Sequence, residues 1–514
     1  MGAGCSLSLK RGVPRNRRST KEVIYHGAKT ATPSHPPRLP LILQRRSTDE
    51  YTPLPYHPLN LPVVARVRAE GPKQAARLSM SLADYWSSRQ GTAAALRALD
   101  EAWGGGFYNV PLEAALDRQA ADAALGSDQL VIDIQTHYVA TQAVSAEMAN
   151  IFLSLGEAVA GDLFKGLDKL ARNQAQALYS LAEYLRCVFL ESETAVAVLS
   201  SAPASAGKER MNILSNAEMI GTRELTERLG GNGRLINHAV VTPNLPGAIA
   251  MMDRWSNWCK PAGWKVYTMF GAQADGLMKW DAPPWMLDDE ESGQPFLRRA
   301  METGVRIVCA HKGLTFAQDT GWDGPSSPKD IGPAAKAFPD INFLIYHSGY
   351  ETRQGDQGEG PYAEEVAHSG TNRLIKSLKN AGIGPGGNVY AELGTTWYLI
   401  MAHPREAAHV LGKLLSTLGE DNILWGTDSI WYGSPQPLID AFRAFQIPEE
   451  YSARYGYPQL TPTAKEKILG LNAARLYGMD PAQVRAAARS DDLAWVKAAL
   501  EEYSAKGTPA KALD

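Results

Sequence analysis

The stretch Leu130–Tyr138, LVIDIQTHY, decides how this chain is read. It begins as a buried strand and breaks into Gln135, Thr136 and His137. In a strand, alternate residues share a face, so Asp133, Gln135 and His137 are expected to point the same way. A metal site at such a strand end would use two histidines, yet glutamine stands at one of the two positions. The stretch alone leaves three readings: an amide ligand, a weakened site, or no site.

The same pattern recurs downstream. Apolar runs ending in polar or glycine-rich residues follow at AVAVLSSAP (195–203), INHAVVTPN (236–244), GWKVYTMFG (263–271), VRIVCAHKG (305–313), NFLIYHSGY (342–350), NVYAELGTT (388–396) and NILWGTDSIW (422–431). Start-to-start separations of 27 to 65 residues leave room each time for a crossover helix. Helical patterns over 167–190 and 404–419 fill two of these gaps, and one over 463–478 supplies the last helix of the barrel. Near-continuous apolar strands belong to a parallel sheet covered on both faces. Eight such units predict an α/β chain, a (β/α)8 TIM barrel over 126–480. An N-terminal extension (1–125) is expected to be partly disordered, with a helix near 78–103. A C-terminal helical extension (481–514) follows the barrel.

The bulk numbers exclude several classes. A net charge of −3 and a pI near 6.4 offer no field for a nucleic-acid backbone. Four cysteines without a CxxC pair argue against a disulfide scaffold and for a reducing, cytoplasmic setting. No apolar run is long enough for a transmembrane helix. MGAGCS at the start fits the loose pattern for lipid anchoring through Gly2 and Cys5, and Arg17-Arg18 lacks the apolar region of an export signal. A disordered leader is the preferred reading of this segment.

In a barrel, the C-terminal strand ends form the active face. There the sequence places Gln135 and His137, His311 and Lys312, His347, Glu392, and Asp428. The chain has ten histidines, and three of them close apolar strands. Three imidazoles and a carboxylate suit one divalent ion, zinc first and manganese second. Asp428 could bind the ion and take a proton from its water. Singly, each residue also has an ordinary structural use: Asp428 as a helix cap, Glu392 as the partner of Lys265. Lys312 is expected to hold a substrate carboxylate or oxyanion. Tyr350, Trp397, Tyr398, Trp431 and Tyr432, with Trp285, either wall a pocket or cover the barrel top.

These residues resemble the amidohydrolase-related branch of metal-dependent TIM-barrel hydrolases, which also contains aminocarboxymuconate-semialdehyde decarboxylase and the resorcylate-type decarboxylases. The resemblance spans roughly 128–480. It rests on VIDIQTH in place of the family's Asp-x-His-x-His strand, then VCAHKGL, LIYHSGY, ILWGTDSIWYG and the closing KILGLNAARLYG. It implies metal ligands at His137, His311 and Asp428, with Asp428 also handling the proton. His347 is implied as an acid–base group or a further ligand. Gln135 departs from the pattern, and its amide oxygen would be a weaker donor than imidazole. The implied activity is metal-dependent hydrolysis of a C–N or C–O bond in a small cyclic or carboxylated molecule. The alternatives are non-oxidative decarboxylation of an aromatic or unsaturated acid, and a barrel without catalysis. The partner is a small molecule, and the spare C-terminal helix leaves room for a homo-oligomer.

Overall fold

The computed structural model describes residues 39–46, 48, 51, 55–140, 179–202, 213–269, 271–272, 278–279, 285–314, 322–324, 326–352 and 358–506. Gly2, Cys5 and Arg17-Arg18 lie outside them, as does the first part of the 167–190 pattern.

All eight strand runs form strands: β1 Ile132–Thr136, β2 Val196–Leu199, β3 Leu235–Val240, β4 Gly263–Tyr267, β5 Ile307–His311, β6 Asn342–Tyr346, β7 Val389–Glu392 and β8 Ile423–Leu424. They pair in parallel in chain order, for example Tyr267 against His311 and His311 against Tyr346. The first and last strands meet through backbone hydrogen bonds. Ile134 N–H donates to Trp425 O (3.1 Å), Asp428 N–H to Gln135 O (2.8 Å) and His137 N–H to Ser429 O (2.6 Å). The sheet is thereby a (β/α)8 barrel. One buried cluster joins Ile132, Ile134, Val198, Cys309, Leu344 and Leu424. Another joins outward-facing Trp264, Val308 and Phe343 to the surrounding helices.

Strand β1 carries a bulge. Asp133 pairs with Ala197 and Thr136 with Leu199, so three steps of β1 oppose two of β2. The strict alternation expected of Asp133, Gln135 and His137 therefore breaks. Gln135 and His137 reach Asp428, whereas Asp133 accepts from Thr427 N–H (3.0 Å) and the Thr427 hydroxyl.

Part of the N-terminal extension is among the described residues. A helix spans Asn60–Arg77 despite Pro72, ahead of Leu82–Ser87 and Arg89–Ala102. Leu41–Leu43 is buried against the barrel. The tail forms Pro481–Ser490 and Asp492–Lys506 and packs on the barrel, with Leu493 buried and Arg234 paired to Asp491 at 2.8 Å. Trp495 stays exposed. No described helix is long and apolar enough to cross a membrane.

Candidate metal centre and active site

The strand ends bring Gln135, His137, His311, His347 and Asp428 together. Their side chains form a continuous run of contacts. His137 Nε2 lies 3.0 Å from Asp428 Oδ1, and Gln135 Nε2 lies 3.0 Å from the same oxygen. Gln135 Nε2 is 3.4 Å from His347 Nε2, which is 3.1 Å from His311 Nδ1. All five side chains are buried.

The backbone that aims these groups is strained. Among the described residues, seven non-glycine residues have positive φ, and four of them, His347, Ser348, Thr395 and Asp428, sit here. A β-branched threonine at φ 56° is unfavourable. Such conformations cluster at working sites, where packing enforces them. Two glycines make room. A Cβ on Gly394 would overlap Gln135 Oε1 and Glu392 Oε1, and one on Gly426 would overlap Glu392 Oε1.

Hydrogen-bond partners fix the imidazole tautomers. His137 Nδ1 is 2.8 Å from Ser200 O, and His347 Nδ1 is 2.8 Å from Gly394 O. A carbonyl only accepts, so each Nδ1 carries the proton. In a neutral ring each Nε2 then presents a lone pair. The His137 lone pair faces a carboxylate oxygen, an arrangement that calls for a cation between them or a second proton on the ring. Tying Nδ1–H to a carbonyl is also how proteins orient metal-binding histidines.

The donor set fits a divalent ion on two further counts. Metal–ligand bonds of about 2.1 Å place adjacent ligand atoms of one ion roughly 3.0–3.4 Å apart, which is the spacing along this run. Gln135 Oε1 is buried without a hydrogen-bond donor among the described residues, and a half-turn of the amide would bring it into the run. As described, however, the groups satisfy one another in a line, and no three His, Cys, Asp or Glu side chains among the described residues form an open metal cage. Filling the site requires exchanging these mutual contacts for bonds to the ion.

The electrostatics separate the groups. Burial would push the Asp428 carboxyl up, but His137, His347 and the Thr395 hydroxyl hold it below its ordinary range. Thr395, which sequence reasoning missed, donates to Asp428 Oδ2 at 2.6 Å. Burial pushes the His347 ring down to about 4, and burial with the neighbouring His347 pushes His311 well below its usual value. Glu392 goes the other way. Burial raises it to about 8, although it accepts from the N–H groups of His347 (3.0 Å) and Gly394 (2.5 Å). Lys265, expected as the partner of Glu392, acts on that carboxyl through its charge and sits over the rings of Tyr346 (3.5 Å) and Tyr267 (4.7 Å); the Tyr267 ring stacks on His311 at 4.4 Å.

The expected substrate residues divide. Trp431 flanks His137, with ring centres 6.4 Å apart. Trp397 is core: its N–H donates to Leu438 O (3.0 Å) and its ring packs on Phe442 and Phe445. Trp285 packs on Phe296. Tyr350 donates to Glu406 (2.9 Å) and lines a cavity with Tyr398. Lys312, expected to hold a substrate acid, is buried among protein acceptors. Its ammonium donates to Thr268 Oγ1 (2.9 Å), Ser327 O (3.1 Å) and Asp330 Oδ2 (2.8 Å), so its three hydrogens are committed within the protein.

The family model for Amidohydrolase matches residues 223–479, which is 257 of 514 residues. His311, His347 and Asp428 fall inside the match, and Gln135 and His137 precede it. No curated protein matches the chain. Similar solved structures include a manganese-bound 5-carboxyvanillate decarboxylase from Novosphingobium aromaticivorans, 12% identical over 69% of this chain and 99% of that chain, with a TM-score of 0.42. A 2,6-dihydroxybenzoate decarboxylase from Rhizobium is 15% identical over 68% and 99%, with a TM-score of 0.38. A probable 2-pyrone-4,6-dicarboxylic acid hydrolase from Acinetobacter baumannii is 14% identical over 68% and 99%, with a TM-score of 0.38. On its strand-end residues, its eightfold barrel and the match over half its length, the chain belongs to the amidohydrolase family.

Proposed function

We propose that this protein is a metal-dependent hydrolase that adds water across a C–N or C–O bond of a small cyclic or carboxylated molecule. The observation that carries the reading is the pair of imidazoles, His137 and His347, whose Nδ1–H is spent on a carbonyl while Nε2 turns toward Asp428 and its neighbours. His137, His311, Asp428 and, through Oε1, Gln135 would hold one divalent ion, zinc or manganese. When bound, such an ion lowers the pKa of water toward neutrality and polarises a carbonyl. The protein's own part is to hold and move the proton. Asp428, kept ionised at neutral pH, accepts it from the attacking water and delivers it to the leaving nitrogen or oxygen. Thr395 fixes Oδ2, so that Oδ1 stays on the reacting side. His347 is neutral and offers Nε2 as a second acceptor. Trp431 walls the approach to His137. The described cysteines, Cys187, Cys259 and Cys309, are buried thiols, in keeping with a cytoplasmic enzyme.

A second reading, decarboxylation of an aromatic or unsaturated acid, draws on Glu392. Its carboxyl is pushed up to about 8 and so stores a proton at neutral pH beside the His347 backbone. One experiment separates the readings. Protein purified without chelator is analysed for metal, then assayed in 18O-water on lactones, amides and carboxylated phenols. Hydrolysis predicts bound zinc or manganese and 18O in the product. Release of CO2 without water addition would sink it in favour of decarboxylation. Little metal, not restored by adding Zn2+ or Mn2+, would sink both and leave a barrel without catalysis.

A further inference from the structure

We propose that the N-terminal segment is a working part of the active site and that Tyr51 is a positioning residue for Asp428. A run of hydroxyls connects them. Asp428 Oδ2 accepts from Thr395 Oγ1 at 2.6 Å. Thr395 Oγ1 lies 2.9 Å from the Tyr432 hydroxyl, which lies 3.2 Å from the Tyr51 hydroxyl. Tyr51 in turn donates to the carbonyl of Arg46 at 2.8 Å. All four side chains, Asp428, Thr395, Tyr432 and Tyr51, are buried. Tyr51 and Arg46 lie far outside the family match.

Counting hydrogens shows why the far end matters. The three hydroxyls supply one hydrogen each, yet the run contains four contacts and both its ends only accept. Thr395 spends its hydrogen on Asp428 and Tyr51 its hydrogen on the Arg46 carbonyl, so the single Tyr432 hydrogen is shared between Thr395 Oγ1 and the Tyr51 hydroxyl as acceptors. That carbonyl is itself held in place. Arg46 N–H donates to the Tyr398 hydroxyl (2.9 Å), which donates to Gln44 O (2.7 Å). The Tyr398 ring stacks on Tyr432 with centres 3.8 Å apart. Tyr56 donates to Leu43 O (2.7 Å), and Leu41, Ile42 and Leu43 are buried. Anchored this way, Tyr51 competes with Thr395 for the Tyr432 hydrogen, and so sets how Thr395 holds the outer oxygen of Asp428 while Oδ1 faces His137 and Gln135. Buried hydrogen-bond chains of this kind act as units.

The inference rests on reading Asp428 as the working carboxylate, and its test does not depend on that reading. The full chain is labelled with 15N-histidine, and the His137 signal is assigned with H137Q. Y51F keeps the ring and removes only the hydroxyl. It should displace the His137 signal and leave that of His409, whose partner is Tyr457, in place. Y56F, which loosens the same segment without touching the run, should move the His137 signal less than Y51F does. Mn2+ affinity measured by calorimetry should fall roughly tenfold in Y51F, the lower edge of what an outer partner of a ligand is worth. A folded Y51F with unchanged His137 signal and unchanged Mn2+ affinity overturns the proposal. A wild-type chain that binds no Mn2+ counts against the proposed function, and the His137 signal then decides the relay alone. If Y51F does not fold, Y432F removes the middle hydroxyl, keeps the stack on Tyr398 and is read the same way.

Discussion

His311 and Lys312 are neighbours in the chain, yet they belong to buried polar clusters of opposite character. Around Lys312 the charge is paired inside the protein. Its three hydrogens meet three acceptors, and Asp330 also accepts from Leu287 N–H at 2.8 Å. Around His311 and His347 the two rings contact each other at 3.1 Å, Gln135 Oε1 is left without a donor among the described residues, and the backbone at His347, Thr395 and Asp428 is strained. Burial and charge are common to both clusters. What sets the rim cluster apart is imidazoles and a carboxylate held side by side on a strained backbone, where the Lys312 cluster closes on an ion pair.

The comparison can be broken at several points. The largest effect is expected from Asp428→Asn, which should lower the rate about 10³-fold and release the metal while circular dichroism stays that of the folded protein. A variant that keeps its metal and its rate removes Asp428 from the site. Next is Lys312→Met. Removing one partner of a fully buried pair leaves the other uncompensated and costs about 3–5 kcal/mol, read as a lower urea midpoint with the rate per folded molecule retained. Replacing both partners, Lys312→Met with Asp330→Leu, should recover most of that loss. A single variant as stable as the parent would show that the Lys312 cluster is not the structural one.

Glu392→Gln sharpens the contrast through pH. The Glu392 carboxyl is pushed up to about 8 in the folded chain, whereas its ordinary value is 4.5. Between those values the folded state keeps a proton that the unfolded state has lost, so stability falls as pH rises through this window and levels off above it. The metal-free protein should lose on the order of a few kcal/mol between pH 5 and 8 from this group, and Glu392→Gln should flatten that slope in urea titrations. An unchanged slope would assign the pH dependence elsewhere, with Asp133, raised by burial to about 7, the first candidate. The smallest effect is expected from Trp431→Phe, which trims one wall of the site. It should raise KM by roughly 1 kcal/mol of binding and leave the urea midpoint in place. A stability loss without a KM change would make Trp431 a core residue like Trp397.

Much of this was legible in the sequence. Short apolar runs with polar ends gave all eight strands, because a parallel sheet covered on both faces demands continuous apolar segments. The rim residues followed from their places after those runs. The helix Asn60–Arg77 was not legible, since Gly71 and Pro72 interrupt its period. Gly71 is needed there because the Trp86 indole nitrogen comes within 2.5 Å of where a Cβ would stand. Thr395 reads as a turn residue, and the pairing of β7 with β8 brings it to Asp428, 33 positions later. The bulge at β1 depends on its partner strand and leaves no mark in LVIDIQTHY. Lys312 could have been read correctly: adjacent residues on a strand face opposite sides, so a lysine next to a rim histidine points away from it.

The seam between β1 and β8 bears on how the enzyme is made. Gln135 and Asp428 are 293 residues apart in sequence and lie on either side of the joint that closes the sheet. At translation speeds of about 5–20 residues per second, roughly fifteen seconds to a minute pass between synthesis of the first group and the last. During that time the nascent chain holds histidines but no assembled centre. Under the proposed metal-dependent function, capture of the ion waits until the final strand has docked, and a truncated product ending before β8 would have neither the closed barrel nor Asp428.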